Sequence, residues 1–216
     1  MNTQPFIRRP FRFRYYNAAL AIIAVNVGLF LVSYLLPGLR LVLYLAMNPT
    51  LVVRDNWWWQ VFTHMFMHSG IWHLAFNMLA VFFFGTQLER RIGSSEFLLF
   101  YLLSGTLAGL FSLLVYWYTG AYMVFLLGAS GAVFAVLLAF ATYFPTSMIL
   151  LFGVFPIRAP ILVLGYAAIE VFNMLSRTGG NVAHLTHLAG FGFAWLYLVI
   201  RLRINPMTEF FGDRRY

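Results

Sequence analysis

Gly128-Ala129-Ser130-Gly131-Ala132-Val133-Phe134-Ala135 opens an apolar run that continues to Phe144. A hydroxyl flanked by glycines at the start of a membrane-length segment has two readings. It is a nucleophile if a base reaches it. Without a base it is a small polar residue that lets two helices pack closely. The rest of the chain has to decide between them.

Of the 216 residues, 62% are hydrophobic and 9% are charged. A soluble domain carries roughly 25% charged residues, so the chain reads as a polytopic membrane protein. It contains no cysteine, which excludes disulfides and thiolate metal sites. All fourteen basic residues are arginine, and the net charge is +8. In a soluble protein that charge would suggest nucleic acid. Here the arginines flank apolar runs, so topology and anionic lipid account for them and no nucleic-acid partner is expected. Met1 to Tyr16 has no short apolar core followed by a small-residue cleavage site, so no cleavable signal peptide is expected.

Working outward from Ser130, the fourth span covers Gly128 to Phe144 and stops at Pro145. Upstream, the third runs from Phe97 to about Tyr118, and the second from about Ile71 to Leu88, ended by Glu89-Arg90-Arg91 and Gly93. The first, Asn17 to Leu36, stops at Pro37-Gly38, and its twenty residues at ~1.5 Å each match a ~30 Å hydrocarbon core. Between the first two spans, Pro37 to Gly70 is too apolar for a water-exposed loop and too interrupted, by Arg40, Pro49, Arg54 and Asp55, for a span. Trp57, Trp58 and Trp59 fit a membrane interface, so this connection reads as a folded loop lying partly in the membrane. Downstream, Met148 to Phe155 is apolar but too short to cross. The fifth span covers roughly Pro160 to Leu175, and the sixth Ala183 to about Leu202.

The fold class is therefore an all-α membrane protein, a six-helix bundle with a long first loop. It reads as one domain over residues 1–216, with a basic arm at 1–15, a core at 17–202 and a tail at 203–216. Six spans put both termini on one side. That side would hold Arg8, Arg9, Arg12, Arg14, Arg90, Arg91, Arg158, Arg201, Arg203, Arg214 and Arg215, against Arg40, Arg54 and Arg177 on the other. The positive-inside rule makes it the cytoplasm. We place the chain as a multi-pass protein of a bacterial or archaeal cell membrane, with the lipid bilayer as its partner.

This topology starts the second, fourth and sixth spans on the outer side. His73 and Asn77 lie near the outer end of the second, four residues apart and so on one face. Ser130 and His187 lie just inside the outer ends of the fourth and sixth. Four polar residues on three spans thus share one depth, where polar groups are costly and mark functional sites. Gly131 and Ala135, and Gly190 and Ala194, form small-xxx-small pairs that let the fourth and sixth spans approach closely. That approach would bring the Ser130 hydroxyl within reach of His187, as nucleophile and base require.

With these residues in view, Gly128-Ala129-Ser130-Gly131 followed by Phe134-Ala135 resembles the Gly-x-Ser-Gly signature of the rhomboid intramembrane serine proteases. Trp59 to His64, then His68, His73 to Met78, and Ala183 to Gly190 resemble further stretches of that family, in its order, over roughly residues 55 to 200. The resemblance implies a rhomboid-like fold. It implies hydrolysis of a peptide bond in or near the transmembrane segment of membrane-protein substrates, cut near the outer membrane end and after a small residue. It implies Ser130 as nucleophile and His187 as base, a dyad without an acid, and no cofactor or metal. It implies an oxyanion hole from His73, Asn77 and the Ser130 N–H, and an aromatic, Phe134, packed on the imidazole. Gly128, Gly131 and Gly190 support the site. Glu89 and Arg91 match a charged cluster at the inner end of the second span; a solvated turn is the alternative. The family usually has Trp-Arg where this chain has Trp59-Gln60, which puts the hydrogen bonding of the first loop in doubt.

Three rivals remain on the residues alone. His64, His68 and His73 could bind a metal; holding the loop by hydrogen bonds is the reading preferred for His64 and His68. Glu170 and Asn173 on the fifth span could mark a transport path, against a packed or snorkelling acid. A proteolytically inactive relative of the same fold could bind or dislocate membrane proteins. His184, three residues before His187, could stand in as the base, but the spacing to Gly190 favours His187.

Overall fold

The computed structural model describes residues 5–151, 153–176 and 181–212. The polar connection at 177–180 and the last residues of the tail, 213–216, lie outside the described residues. Helix α1 spans Ala18–Leu35. The first loop holds three short helices, α2 (Leu41–Leu45), α3 (Pro49–Val53) and α4 (Gln60–Thr63). Helices α5 (Ile71–Ala80) and α6 (Thr86–Ile92) continue one another through a wider π-turn at Val81–Gly85. Then come α7 (Ser94–Tyr118), α8 (Ser130–Tyr143), a hairpin of β1 (Met148–Leu151) and β2 (Phe155–Arg158), α9 (Ala159–Leu175), α10 (Asn181–Tyr197) and α11 (Pro206–Phe211). A second π-turn at Leu198–Leu202 extends α10. The protein is an all-α membrane bundle, and among the described residues four helices are long and apolar enough to cross a membrane alone.

The bundle is built round α8. Between Ser130 and Thr142 its sequence is Gly, Ala, Val, Leu and Phe with no polar face, and a helix stretch apolar on every side belongs in a core. Eleven of its fourteen residues are buried, against α7, α10 and α9. At ~1.5 Å per residue α8 is ~21 Å long, short of a ~30 Å hydrocarbon core, so one end must lie inside the membrane. Ser130 is its first residue. The chain reaches it through Gly128, whose φ of +123° excludes ordinary side chains.

The first loop is braced from within. The buried Gln60 accepts the Asn48 N–H at 3.0 Å and donates to the Leu43 carbonyl at 2.8 Å. Trp59 Nε1 donates to the Tyr44 carbonyl at 2.8 Å, and the Thr63 hydroxyl to the Leu45 carbonyl at 2.8 Å. Gln60 therefore ties the loop together, and the doubt raised by the missing arginine does not hold for this chain. Met47 and Leu126 exchange backbone hydrogen bonds of 2.9 and 2.8 Å, which join the loop to the segment leading into α8.

The turn read at Glu89-Arg90-Arg91 is helix instead, and Glu89 is fully buried. Its carboxylate accepts the N–H groups of Ala18 and Ala19 at 2.6 and 2.9 Å, and also the Ser94 hydroxyl. An anion on the orphan amides of α1 satisfies donors that water cannot reach. Nearby, Glu96 takes Arg201 Nε and Nη2 at 2.5 and 3.0 Å, the Tyr197 hydroxyl at 2.5 Å and the Phe11 N–H at 2.9 Å. The short apolar run after Pro145 folds back as the β1–β2 hairpin, with Met148 opposite Arg158.

Candidate active site

Ser130 is the first residue of α8, so its N–H has no partner within the helix. Its hydroxyl lies 2.8 Å from His187 Nε2 on α10. The contact depends on two backbones touching. A Cβ on Gly190 would lie 2.2 Å from the Gly131 carbonyl oxygen, so glycine is the residue that lets α8 and α10 approach this far. A second tie, between the hydroxyls of Ser112 and Thr186 at 2.6 Å, fixes α10 against α7. The Phe134 ring stacks on the His187 ring, centroids 4.3 Å apart and planes 9° from parallel.

His73 and Asn77 reach the same place from α5. They line a cavity of about 270 Å³ together with Ser130, Phe134, His187 and Tyr166. His73 Nδ1 is 3.0 Å from the Ser69 hydroxyl, and its ring lies against Gly128, where a Cβ would stand 2.6 Å from Cε1. Asn77 donates one N–H to the His73 carbonyl at 2.7 Å and keeps a second on the same nitrogen. One concave site thus holds a hydroxyl, an imidazole and several N–H donors. Such a set can deprotonate the hydroxyl and hold a developing negative charge.

The sequence reading left Glu170 outside this site as a packed or snorkelling acid. It lies inside. Its carboxylate is 2.9 Å from His187 Nδ1 and 2.5 Å from His184 Nδ1, one oxygen to each ring. Beyond Val163, Glu170 is the one buried residue of α9. Depth would have found it: it stands five residues before the end of α9, and His187 six after the start of α10, both under ~10 Å from the helix ends.

The first-loop histidines are arranged otherwise. His64 packs its ring on Gly109, where a Cβ would lie 2.3 Å from Cε1. Both ring nitrogens of His68 are buried and bond no group among the described residues. The ring instead packs edge-on against His73, centroids 5.1 Å apart. The hydrogen-bonding role expected for His68 is therefore replaced by packing. Burial pushes both imidazoles down, His64 to about 4 and His68 to about 4, the latter helped by the nearby His73.

Among the described residues, the ligand atoms that converge within 4.8 Å belong to Glu170, His184 and His187, not to the first loop. An ion between them would need about 2.0–2.2 Å to each N and O, hence N···O separations well above 3 Å. The observed 2.5 and 2.9 Å are hydrogen-bond distances.

The Rhomboid domain profile matches residues 55–204. Over 209 residues the chain is 30% identical to YdcA of Bacillus subtilis, a candidate rhomboid protease by its name, covering 93% of this chain and 94% of that one. It is 38% identical over 138 residues to the mitochondrial Rhomboid protein 1 of Saccharomyces cerevisiae, covering 61% of this chain and 38% of that one. It is 40% identical over 97 residues to the Rhomboid protease GluP of Bacillus subtilis, covering 45% of this chain and 18% of that one. The chain thus spans well under half the length of these last two relatives and nearly all of YdcA. With the profile matched over most of its length, the chain belongs to the rhomboid family.

Proposed function

We propose that the chain is an intramembrane serine endopeptidase that cuts membrane-protein substrates in or near their transmembrane segments. The observation that carries this reading is the 2.8 Å contact between the Ser130 hydroxyl and His187 Nε2, at the first residue of a helix too short to cross the membrane alone. Ser130 Oγ attacks the carbonyl carbon as its proton passes to Nε2. The carbonyl oxygen gains charge beside the Ser130 N–H, the His73 ring and the free Asn77 N–H, where donors fixed in advance are worth several kcal/mol. Nε2–H then protonates the leaving amine, and water repeats the sequence on the acyl-enzyme. Phe134 holds the face of the ring, and Gly128, Gly131 and Gly190 let the parts meet. The substrate is read as a single-span protein of the bilayer, and no cofactor takes part in these steps.

The chain acts as one domain, with its arm and tail on the cytoplasmic side of a bacterial or archaeal cell membrane. It has no cysteine of its own, so single cysteines report topology cleanly. Asp55→Cys and Gly212→Cys should react with an impermeant thiol reagent from opposite sides; reaction from one side would break the six-span reading.

A fluorophosphonate probe tests the activity. The wild-type protein in detergent should take the label and cleave a single-span reporter, and Ser130→Ala should do neither while remaining folded. A folded wild-type protein that takes no label would favour the alternative, a proteolytically inactive relative that binds or dislocates membrane proteins.

A further inference from the structure

We propose that Glu170 is a positioning residue for His187, holding the imidazole in the tautomer whose Nε2 lone pair faces Ser130, so that the site is a chain of three residues, Ser130, His187 and Glu170. This rests on the reading of Ser130 as nucleophile and His187 as base.

A neutral imidazole has one N–H. If Nε2 carried it, the ring could not take the serine proton. A carboxylate accepts hydrogen bonds and donates none, so a carboxylate at Nδ1 keeps the proton there and leaves Nε2 free. Glu170 Oε1 stands 2.9 Å from Nδ1, and Ser130 Oγ stands 2.8 Å from Nε2 on the opposite edge. Phe134 covers one face of the ring. Held on two edges and a face, the imidazole cannot turn away from the hydroxyl.

The carboxylate is itself held. Its other oxygen, Oε2, takes His184 Nδ1 at 2.5 Å, so two rings one turn apart on α10 bracket a single side chain of α9. Glu170 is 7% exposed, and an acid in that position is costly unless it is hydrogen-bonded. The two imidazoles meet that need, one for each oxygen.

During attack the serine proton moves to Nε2, and the Oγ–carbon bond forms as the carbonyl π pair moves onto oxygen. The ring becomes an imidazolium with N–H on both edges. The Nδ1 proton stays on the ring, and the carboxylate remains ionised beside the new positive charge. Nε2–H later goes to the leaving amine, and the ring returns to its starting tautomer. The rival account is structural, with the carboxylate merely fastening α9 to α10.

The two accounts separate in experiments on the full chain in detergent. Fluorophosphonate inactivation should be resolved into a maximal rate and a half-saturating probe concentration for wild type, Glu170→Gln and His184→Ala. Glutamine keeps the size of the side chain and can offer Nδ1 an N–H, which favours the wrong tautomer. Glu170→Gln should lower the maximal rate about 10–100-fold, with half-saturation within about twofold of wild type. His184→Ala, which cuts the same α9–α10 tie from its other side, should cost far less. The imidazole 15N spectrum, with five histidines assigned by single substitution, should show His187 as the Nδ1–H form in wild type and not in Glu170→Gln.

An unchanged maximal rate in Glu170→Gln, or an unchanged His187 tautomer, would overturn the proposal. So would equal losses in Glu170→Gln and His184→Ala tracking their melting temperatures, since that is what a fastener predicts. A folded wild-type protein that takes no label would instead remove the protease reading, and the tautomer measurement would still decide what Glu170 does to His187.

Discussion

His64 and His68 lie in the first loop and His184 and His187 on α10, and the surroundings of the two pairs are opposite in kind. His64 and His68 are buried and pair with no carboxylate among the described residues, and burial pushes each down to about 4. They stay uncharged at neutral pH and pack their rings closely, His64 on Gly109 and His68 edge-on against His73. His184 and His187 are half-buried and share the carboxylate of Glu170. Residue type and density are alike in the two places. The neighbour decides whether an imidazole only fills space or is placed where it could take a proton.

The largest effect should come from substituting one ring in each group. His187→Ala should lower cleavage of a single-span reporter at least about 10³-fold. His68→Phe keeps the edge contact with His73 and loses no hydrogen bond to the described residues, so it should stay within about threefold of wild type. Equal losses in a cleavage assay would erase the comparison.

Each group also rests on a glycine. Gly190→Ala puts a Cβ 2.2 Å from the Gly131 carbonyl oxygen, and backbone cannot yield there as a side chain can. Prying α8 from α10 by ~1 Å should cost about 10² in kcat. Gly109→Ala meets the His64 ring at 2.3 Å instead. It should lower stability by about 1–3 kcal/mol and leave kcat nearly intact. Measuring kcat and Tm on one preparation of each variant checks both; a Gly109→Ala protein that melts normally but turns over slowly would reverse the assignment.

The depressed first-loop histidines also set a pH dependence. Unfolded, each titrates near 6.5; folded, each resists protonation down to about 4. The unfolded chain therefore binds more protons between those values. The stability these rings contribute is whole above pH 6.5 and drains away as pH falls toward 4. Tm should drop across that window, and less steeply in His68→Phe. An identical slope in the variant would show that other groups drive it. The smallest effect belongs to His184→Ala, about two- to fivefold in cleavage rate, because Glu170 keeps its bond to His187. A loss as deep as that of His187→Ala would mean the two rings have exchanged roles.

The six apolar segments were readable because hydropathy is a local property and each is flanked by Arg, Pro or Gly. The ends were less so. The second helix runs on to Ile92 since Glu89 is not solvated there; its carboxylate caps α1, seventy residues away in sequence, a partner no local signal names. The β1–β2 hairpin was missed for a related reason. Four-residue strands are too short to show a period, and Met148 to Phe155 is apolar throughout. Ser130, His187, His73 and Asn77 were brought together by depth and spacing. Glu170 was passed over since one acid on a span has a common bland explanation, and its two partners lie 14 and 17 residues on, in the next helix. Gln60 was judged by what it replaces; in the fold its amide, shorter than an arginine, still meets both a donor and an acceptor of the loop.

The clasp of Glu96 by Arg201 joins residues 105 apart. A chain leaves the ribosome from its N-terminus, so Glu96 enters the bilayer long before its cation exists. The same helix, α10 with the π-turn that extends it, brings His187, 57 residues after Ser130. Until it inserts, the nascent chain holds the hydroxyl without the imidazole and the carboxylate without the guanidinium. One late event completes both, so a chain that lacks α10 lacks the Ser130–His187 contact and the Glu96–Arg201 pair together.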